Sequence, residues 1–239
     1  MYKSKILMGL VLIVYVLSVL FQFSEYNGIA NSLKSFIIPI ITLLYFLSVK
    51  KKSLFFSLFL VFYAVSDLLM FLEPYVSIQV NYYLGNSLYI LAYSFLLLEV
   101  CKSVCVFHVI KNYKIHLIVL TILNIYIIYV LNVIVNPYVE KTNVFYVEIV
   151  YNLVMLLVLS LTLVNYFYRD NVKSLYLFLG ALCIVFAEVI WVAYIYISAS
   201  TFLNIISTSL YMLSFYFFYE QSKLFYEEIE EEVNVLINE

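Results

Sequence analysis

The chain has 239 residues, of which 66% are hydrophobic and 12% are charged, and its formal net charge is -2 at pH 7. A soluble domain has about a quarter of its residues charged and cannot hide so much apolar surface in one core. The composition therefore excludes a soluble globular protein, and the small negative charge predicts no nucleic-acid partner. Lipid is the expected solvent for much of the chain.

Eight segments are long and apolar enough to cross a bilayer, whose hydrocarbon core needs about 20 residues of α-helix. They lack the alternation that is typical of transmembrane strands. The first segment resembles a signal peptide, but no small-residue cleavage site follows it, so we expect a retained helix. The predicted helices cover residues 5–23, 32–49, 53–72, 81–98, 115–134, 144–167, 173–197 and 202–218.

The basic residues fall almost entirely on one side of these spans. Lys and Arg resist translocation, so loops that are rich in them stay in the cytoplasm. Lys34 and Lys141 lie on the far side, and the other 11 of the 13 basic residues are Lys3, Lys5, Lys50, Lys51, Lys52, Lys102, Lys111, Lys114, Arg169, Lys173 and Lys223. This split predicts an even number of spans with both the N-terminus and the C-terminus in the cytoplasm.

An acidic tail follows the last span. It has apolar residues at helical spacing among glutamates, as an amphipathic helix would have; these are Leu224, Phe225, Ile229, Val233 and Leu236. We predict an eight-helix transmembrane domain over residues 1–223 and a cytoplasmic tail over residues 224–239. The tail is interpreted as a solvated helix end, with partner binding or anchoring of a complex as the alternative. The sequence identifies no protein partner.

The sequence also contains an internal repeat. The third and seventh predicted helices, SLFFSLFLVFYAVSDLLM and SLYLFLGALCIVFAEVIW, each place an acid at the same distance from their first serine. Those acids are Asp67 and Glu188, and the next predicted helix of each pair carries a tyrosine at nearly the same distance beyond its acid, Tyr89 and Tyr211. Both acid-bearing helices leave the cytoplasm in the same direction, so the pattern predicts two parallel four-helix repeats.

The repeat halves would span about residues 1–112 and 113–223, with the two acids at one depth. At 1.5 Å per residue each acid lies about 21 Å from its helix start, beyond the midplane of a core about 30 Å thick. A carboxylate at that depth costs about 3 kcal/mol, so it should face the bundle interior or a wet cavity. We predict a paired-carboxylate site; the alternative is two neutral buried carboxyl groups, each bonded to a neighbouring Tyr or Asn.

The three cysteines do not have the pattern of a disulfide framework. Cys101, Cys105 and His108 share one helical face, with His116 in the next segment, and zinc uses such ligands. Their spacing matches no established zinc motif. The chain also has no Gly-rich phosphate loop, no H-E-x-x-H and no G-x-S-x-G. We therefore expect no metal and no cofactor.

Short motifs along five of the helices resemble one family. They comprise Lys34, Pro39, Phe62, Ser66, Asp67, Gly85, Tyr89, Ala92, Gly180, Ala181, Tyr211 and Ser214. With them the chain resembles the YhhN-type lysoplasmalogenase family of eight-helix membrane proteins, from Lys34 to about Gln221. It departs from the family pattern at Ser35 in place of Pro, at Tyr93 in place of His, at Ala187 and Glu188 in place of Ser and Asp, and at Phe215 in place of Gln.

The resemblance implies hydrolysis of the vinyl ether of a lysoplasmalogen to a fatty aldehyde and a glycerophospho-alcohol. This reaction needs a proton delivered to carbon and water added to the resulting oxocarbenium ion, which suits a pair of carboxyl groups. Asp67 and Glu188 are the implied catalytic residues, with their acid and base roles open. The expected partners are membrane lipids, including a lysophospholipid substrate, and the predicted substrate-binding residues are Lys34, Asn86, Tyr89, Tyr93 and Tyr211.

A non-catalytic lipid-binding or transport protein that uses the same acidic cavity is the alternative. Parallel repeats and acids within the membrane are typical of transporters as well. This chain has Tyr93 and Phe215 where the family has His and Gln, and the loss of these polar residues favours the alternative. The short loops and the many Ile, Lys, Asn and Tyr residues predict a multi-pass protein of a bacterial inner membrane.

Overall fold

The structure, a computed structural model, describes residues 2–72, 74–103, 111–139 and 144–224. Eight helices in these segments are long and apolar enough to cross a membrane, which confirms the predicted number of spans. No strand occurs in the same residues. The helices are α1 (Tyr2–Phe23), α2 (Asn27–Ser48), α3 (Leu54–Leu68), α4 (Ile78–Lys102), α5 (Lys114–Val139), α6 (Val144–Arg169), α7 (Val172–Tyr196) and α8 (Thr201–Lys223).

Several helices extend beyond the apolar segments from which they are predicted. The first turn of α2 starts at Asn27, and α8 continues through polar residues to Lys223. Burial explains the extension of α8, because Tyr219 and Gln221 in its last turns are both 5% exposed. In contrast, α3 ends early, at Leu68, and its last predicted turn is a 3₁₀ helix over Leu69–Leu72.

Six helices form a closed ring. Each of α2, α3, α4, α6, α7 and α8 packs on the next helix in this order, and α8 packs back on α2. Helix α1 lies outside the ring against α2 and α8, and α5 lies outside it against α6 and α7. In this order α2 stands opposite α6, α3 opposite α7, and α4 opposite α8.

Aromatic side chains fill the middle of the ring. Phe59, Phe215 and Phe218 are each 0% exposed. The rings of Phe59 and Phe215 stack with their centroids 5.7 Å apart, and Phe218 meets Phe59 edge-on at 5.4 Å. Such pairs stabilise packing beyond their buried area. This aromatic layer separates the two ends of the ring.

The two ends of the bundle differ in charge. Lys50 to Lys52 lie between α2 and α3, while Lys102, Arg169 and Lys223 lie in the last turns of α4, α6 and α8. At this basic end Arg169 donates two hydrogen bonds, of 2.9 and 2.8 Å, to the backbone carbonyl of Ser103. The structure contains no membrane, so the cytoplasmic location of this end stays a prediction. The predicted tail beyond Leu224 lies outside the described residues.

Candidate functional site

A cavity of about 610 Å³ lies inside the ring, at the end opposite the basic residues. It is formed where α3 and α7 approach their C-terminal ends and where α2, α4, α6 and α8 begin. Its polar and aromatic lining consists of Asn31, Lys34, Ser35, Tyr63, Ser66, Asp67, Asn81, Tyr82, Asn86, Tyr89, Glu148, Tyr151, Glu188, Trp191, Tyr196, Ser207, Thr208 and Tyr211. Its volume is in the range of ordinary small-molecule sites, about 300–1,000 Å³.

Asp67 enters the cavity from the last turn of α3. The hydroxyl of Tyr89, on α4, donates a hydrogen bond of 2.6 Å to its Oδ1. One residue earlier, the hydroxyl of Ser66 donates to the backbone carbonyl of Gly85 at 2.9 Å. These two bonds tie α3 to α4 beside the carboxyl group and fix its direction.

Glu188 enters from the facing wall, on α7, and is 8% exposed. The hydroxyl of Tyr151, on α6, donates to its Oε1, and Tyr211 also faces this carboxyl group. A serine bond beside Glu188 resembles the bond of Ser66 beside Asp67. Here the serine is on the helix that follows the acid-bearing helix, whereas Ser66 is on the acid-bearing helix itself. Ser207 on α8 donates to the backbone carbonyl of Ala187, next to Glu188, at 3.0 Å.

The acids lie at similar heights along their helices. Helix α3 begins at Leu54 and α7 begins at Val172, and each carries its acid well beyond its midpoint. The separation from the helix start corresponds to about 20 Å for Asp67 and about 24 Å for Glu188, at 1.5 Å per residue. The cavity therefore receives two carboxyl groups on helices that face each other across the ring.

Lys34 is the one basic side chain among the described residues that line the cavity. Its ammonium group donates a hydrogen bond of 2.6 Å to Oδ1 of Asn204, from α2 to α8. Asn204 is 3% exposed, so the amide that holds the lysine is itself fixed. The lysine thus keeps a defined place in the cavity wall.

The structure brings six of the seven predicted site residues to the cavity. Asp67 and Glu188 line it, together with Lys34, Asn86, Tyr89 and Tyr211. The side-chain amide of Asn86 donates to the backbone carbonyl of Tyr82, at 3.0 Å within α4.

Tyr93 does not line the cavity. It is 1% exposed and packs below the site, with its ring centroid 5.8 Å from that of Tyr63 and 5.6 Å from that of Tyr151. Phe215 lies in the same layer, with its ring centroid 4.7 Å from that of Tyr63. Tyr93 and Phe215 therefore both belong to the aromatic packing under the cavity floor.

Glu148 is the main lining residue that is absent from the predicted site. It lies in the first turns of α6 and accepts a hydrogen bond from the hydroxyl of Tyr82, on α4. A signal was present, because Glu148, Tyr151 and Asn152 follow one another at helical spacing in an apolar segment. The internal repeat indicates only the paired acids, and Glu148 has no counterpart in it.

Metal binding has no support in the described residues, which contain no group of three or more His, Cys, Asp or Glu side chains able to hold an ion. Cys105 and His108, from the zinc alternative, lie outside the part of the chain that the structure describes. The expectation of no metal and no cofactor stays a prediction.

Comparisons with known proteins give no match: no protein-family model fits the chain, and neither a curated protein nor a solved structure matches it.

Proposed function

We propose that this chain is a lysoplasmalogenase-like membrane hydrolase, which cleaves the vinyl ether bond of a lysoplasmalogen. The observation that supports the proposal is the meeting of Asp67 and Glu188, from facing helices, in one cavity of about 610 Å³. The resemblance to the YhhN-type family supplies the reaction. A multi-pass membrane protein with eight apolar helices is a suitable host for a lipid substrate.

The chemistry needs two groups that exchange protons. One carboxyl group donates a proton to the outer vinyl carbon, which leaves an oxocarbenium ion at the ether carbon. The other carboxylate takes a proton from water as the water oxygen adds to that carbon. The resulting hemiacetal then breaks its bond to the glycerol oxygen. The second carboxyl group gives its proton to that oxygen and the first carboxylate takes the proton of the hemiacetal hydroxyl, which releases a fatty aldehyde and a glycerophospho-alcohol. Asp67 and Glu188 share these roles.

The neighbouring side chains suit the rest of the substrate. Tyr89 and Tyr151 hold the two carboxyl groups by hydrogen bonds, so their oxygens keep fixed directions. Lys34 supplies a positive charge for the phosphate of the lysolipid. Tyr211 faces the same space and is positioned to orient water or the glycerol group.

The two-repeat organisation belongs to the proposal as well. Asp67 and Glu188 occupy matched places in α3 and α7, and the serine bonds beside them join α3 to α4 and α7 to α8. Helices α1 and α5, the first of each predicted half, are the two that lie outside the ring. A parallel repeat accounts for all three features.

The test is release of aldehyde from a lysoplasmenyl-ethanolamine by the purified protein in detergent. Asp67→Asn and Glu188→Gln should each lower turnover about a hundredfold or more, because each removes a group that transfers a proton. Glu220→Gln is the matched control, since Glu220 pairs with Lys223 at the opposite end of the bundle. Full turnover in either amide variant would contradict the catalytic assignment.

Lipid binding or transport without hydrolysis is the second candidate. It is favoured by Tyr93 and Phe215, which replace the family's polar residues and lie outside the cavity lining. A proton-coupled transporter would accumulate lysolipid in vesicles only when a pH gradient is applied, whereas hydrolysis proceeds in detergent. Gradient-dependent uptake without aldehyde release would favour this candidate.

A further inference from the structure

Two of the ring's six seams, the contacts between neighbouring helices, lie beside the cavity and differ in what covers them. The seam between α2 and α8 is covered from outside by α1, and the hydroxyls of Tyr15 and Ser209 bond across this contact at 2.6 Å. The seam between α4 and α6 has no such cover among the described helices, because α5 packs on α6 and α7 instead. The helices that the structure describes therefore leave the outer side of the α4–α6 seam open.

The α4–α6 seam is held differently along its length. At the basic end Ser103 donates to Oδ1 of Asn165 at 3.0 Å, and Arg169 donates to the carbonyl of Ser103. Asn165 is 1% exposed, so its bond with Ser103 is shielded from competing water. At the cavity end, the described bond across the seam is that from Tyr82 to Glu148, and both residues line the cavity.

Between these ends the seam contains aromatic contacts. Tyr89 and Tyr151 meet edge-on with centroids 6.3 Å apart, and Tyr93 meets Tyr151 at 5.6 Å. Aromatic edges slide and separate without leaving a buried charge behind. The seam is thus fixed at one end, aromatic in the middle and closed by a phenol–carboxyl bond beside the cavity.

We propose that the α4–α6 seam is a lateral portal, through which the hydrocarbon chain of a membrane lipid enters the cavity, and that the Tyr82–Glu148 hydrogen bond closes it. The occupant is a lipid chain because no described helix covers the seam, which lies between two membrane-spanning helices and reaches the cavity at Tyr82 and Glu148. A lipid that enters sideways keeps its chain in hydrocarbon while its polar part reaches Lys34 and the acids. The inference rests on the proposed lipid substrate, but it does not require hydrolysis.

The fluorescence of Trp191 can report the entry of a lipid, since Trp191 is the only tryptophan of the chain and lines the cavity. The probe is an ester-linked lysophosphatidylcholine with a nitroxide on its chain, which quenches tryptophan fluorescence and has no vinyl ether. Tyr82→Cys and Glu148→Cys are combined in a protein whose Cys101, Cys105 and Cys183 are replaced by serine. A short thiol-to-thiol cross-linker with an internal disulfide then locks the seam, and reduction reopens it.

The locked protein should be quenched about tenfold more slowly than the same protein after reduction, because opening sets the rate of entry. The matched control is Ser103→Cys with Asn165→Cys, which locks the same two helices at the fixed end and should change the rate less than about twofold. Tyr82→Phe, which removes the bond and keeps the ring, should instead speed entry. Equal quenching rates in locked and reduced protein would refute the portal.

The quenching assay separates this inference from the proposed hydrolysis. If the cross-link slows quenching in a protein that releases no aldehyde, the result would support the portal and refute the hydrolase. No quenching of Trp191 in the unmodified protein would mean that lysolipid does not reach the cavity, and it would overturn both. If the protein releases aldehyde and the cross-link does not slow quenching, the result would support the hydrolase and refute the portal.

Discussion

The hydroxyl of Tyr89 donates a hydrogen bond of 2.6 Å to Oδ1 of Asp67, from the middle of α4 to the last turn of α3. The carboxyl group therefore does not swing freely in the cavity, and one of its oxygens is occupied. Glu188 has the same kind of partner in Tyr151, which comes from a different helix. Each acid of the site is thus held by a phenol from a neighbouring helix of the ring.

Tyr89→Phe should lower aldehyde release about tenfold or more, with a larger effect on kcat than on KM. The variant keeps the ring and removes the group that orients Asp67, and orientation of a reacting group is realised mainly in the transition state. Tyr216→Phe is the control, because Tyr216 is 40% exposed on the outside of α8. A rise in KM alone would show that Tyr89 binds substrate without orienting the acid.

Lys34→Gln should raise KM for the lysolipid about tenfold to a hundredfold with little change in kcat, because a charged hydrogen bond to phosphate is worth about 1.5–3 kcal/mol. Asn204→Ala keeps the charge but frees the ammonium group from its 2.6 Å bond, so its effect should be smaller. Steady-state kinetics of both variants measure the difference. Unchanged KM in Lys34→Gln would remove the lysine from substrate binding.

Gly180→Ala should destabilise the protein by about 1–3 kcal/mol, as overpacking of a filled core does. A Cβ at Gly180 would lie 2.5 Å from Cε1 and 2.6 Å from Cδ1 of Phe218, which is 0% exposed. Gly9→Ala is the control, since nothing lies within 4 Å of its added Cβ. The midpoint of thermal unfolding in detergent compares the two. Combining Gly180→Ala with Phe218→Leu should recover part of the loss, and equal midpoints for both glycine variants would refute the close packing.

The charge asymmetry predicts opposite labelling of two loops. In a cysteine-free protein, Ala199→Cys, between α7 and α8, should react with a membrane-impermeant maleimide added to intact cells. Lys52→Cys, between α2 and α3, should react only after the membrane is opened, because Lys50, Lys51 and Lys52 are expected to stay in the cytoplasm. Both positions are exposed in the structure, so accessibility within the protein does not bias the result. The reverse pattern would invert the proposed topology.

The paired acids were predictable because a helix preserves distance along the chain. Equal spacing of Asp67 and Glu188 from Ser53 and Ser174 predicts similar heights for the two acids, and the cost of a carboxylate in lipid turns both inward. Glu148 was not predictable in the same way. Its place in the cavity depends on α6 packing beside α4, and no local pattern encodes which helices become neighbours.

The position of Tyr93 could not be predicted from its own helix alone. One turn beyond Tyr89, it was expected in the cavity, but it points into the aromatic layer with Tyr63 and Tyr151. A turn of helix moves a side chain along the axis by about 5.4 Å, which is enough to carry it from the cavity to the layer beneath. The depth of the cavity floor depends on side chains from several helices together.

By itself the sequence determined that this is a membrane protein with eight apolar helices, because hydrophobic length and charge placement act locally and nearly independently for each span. Only the tertiary structure decided that six of those helices close into a ring, that α1 and α5 stay outside, and that Lys34, Glu148 and the paired acids share one cavity. Helices that are apolar on most of their surface can pack in many ways. The choice among those packings comes from close contacts, such as that of the Phe218 ring with the backbone at Gly180, which have no signature along a single chain segment.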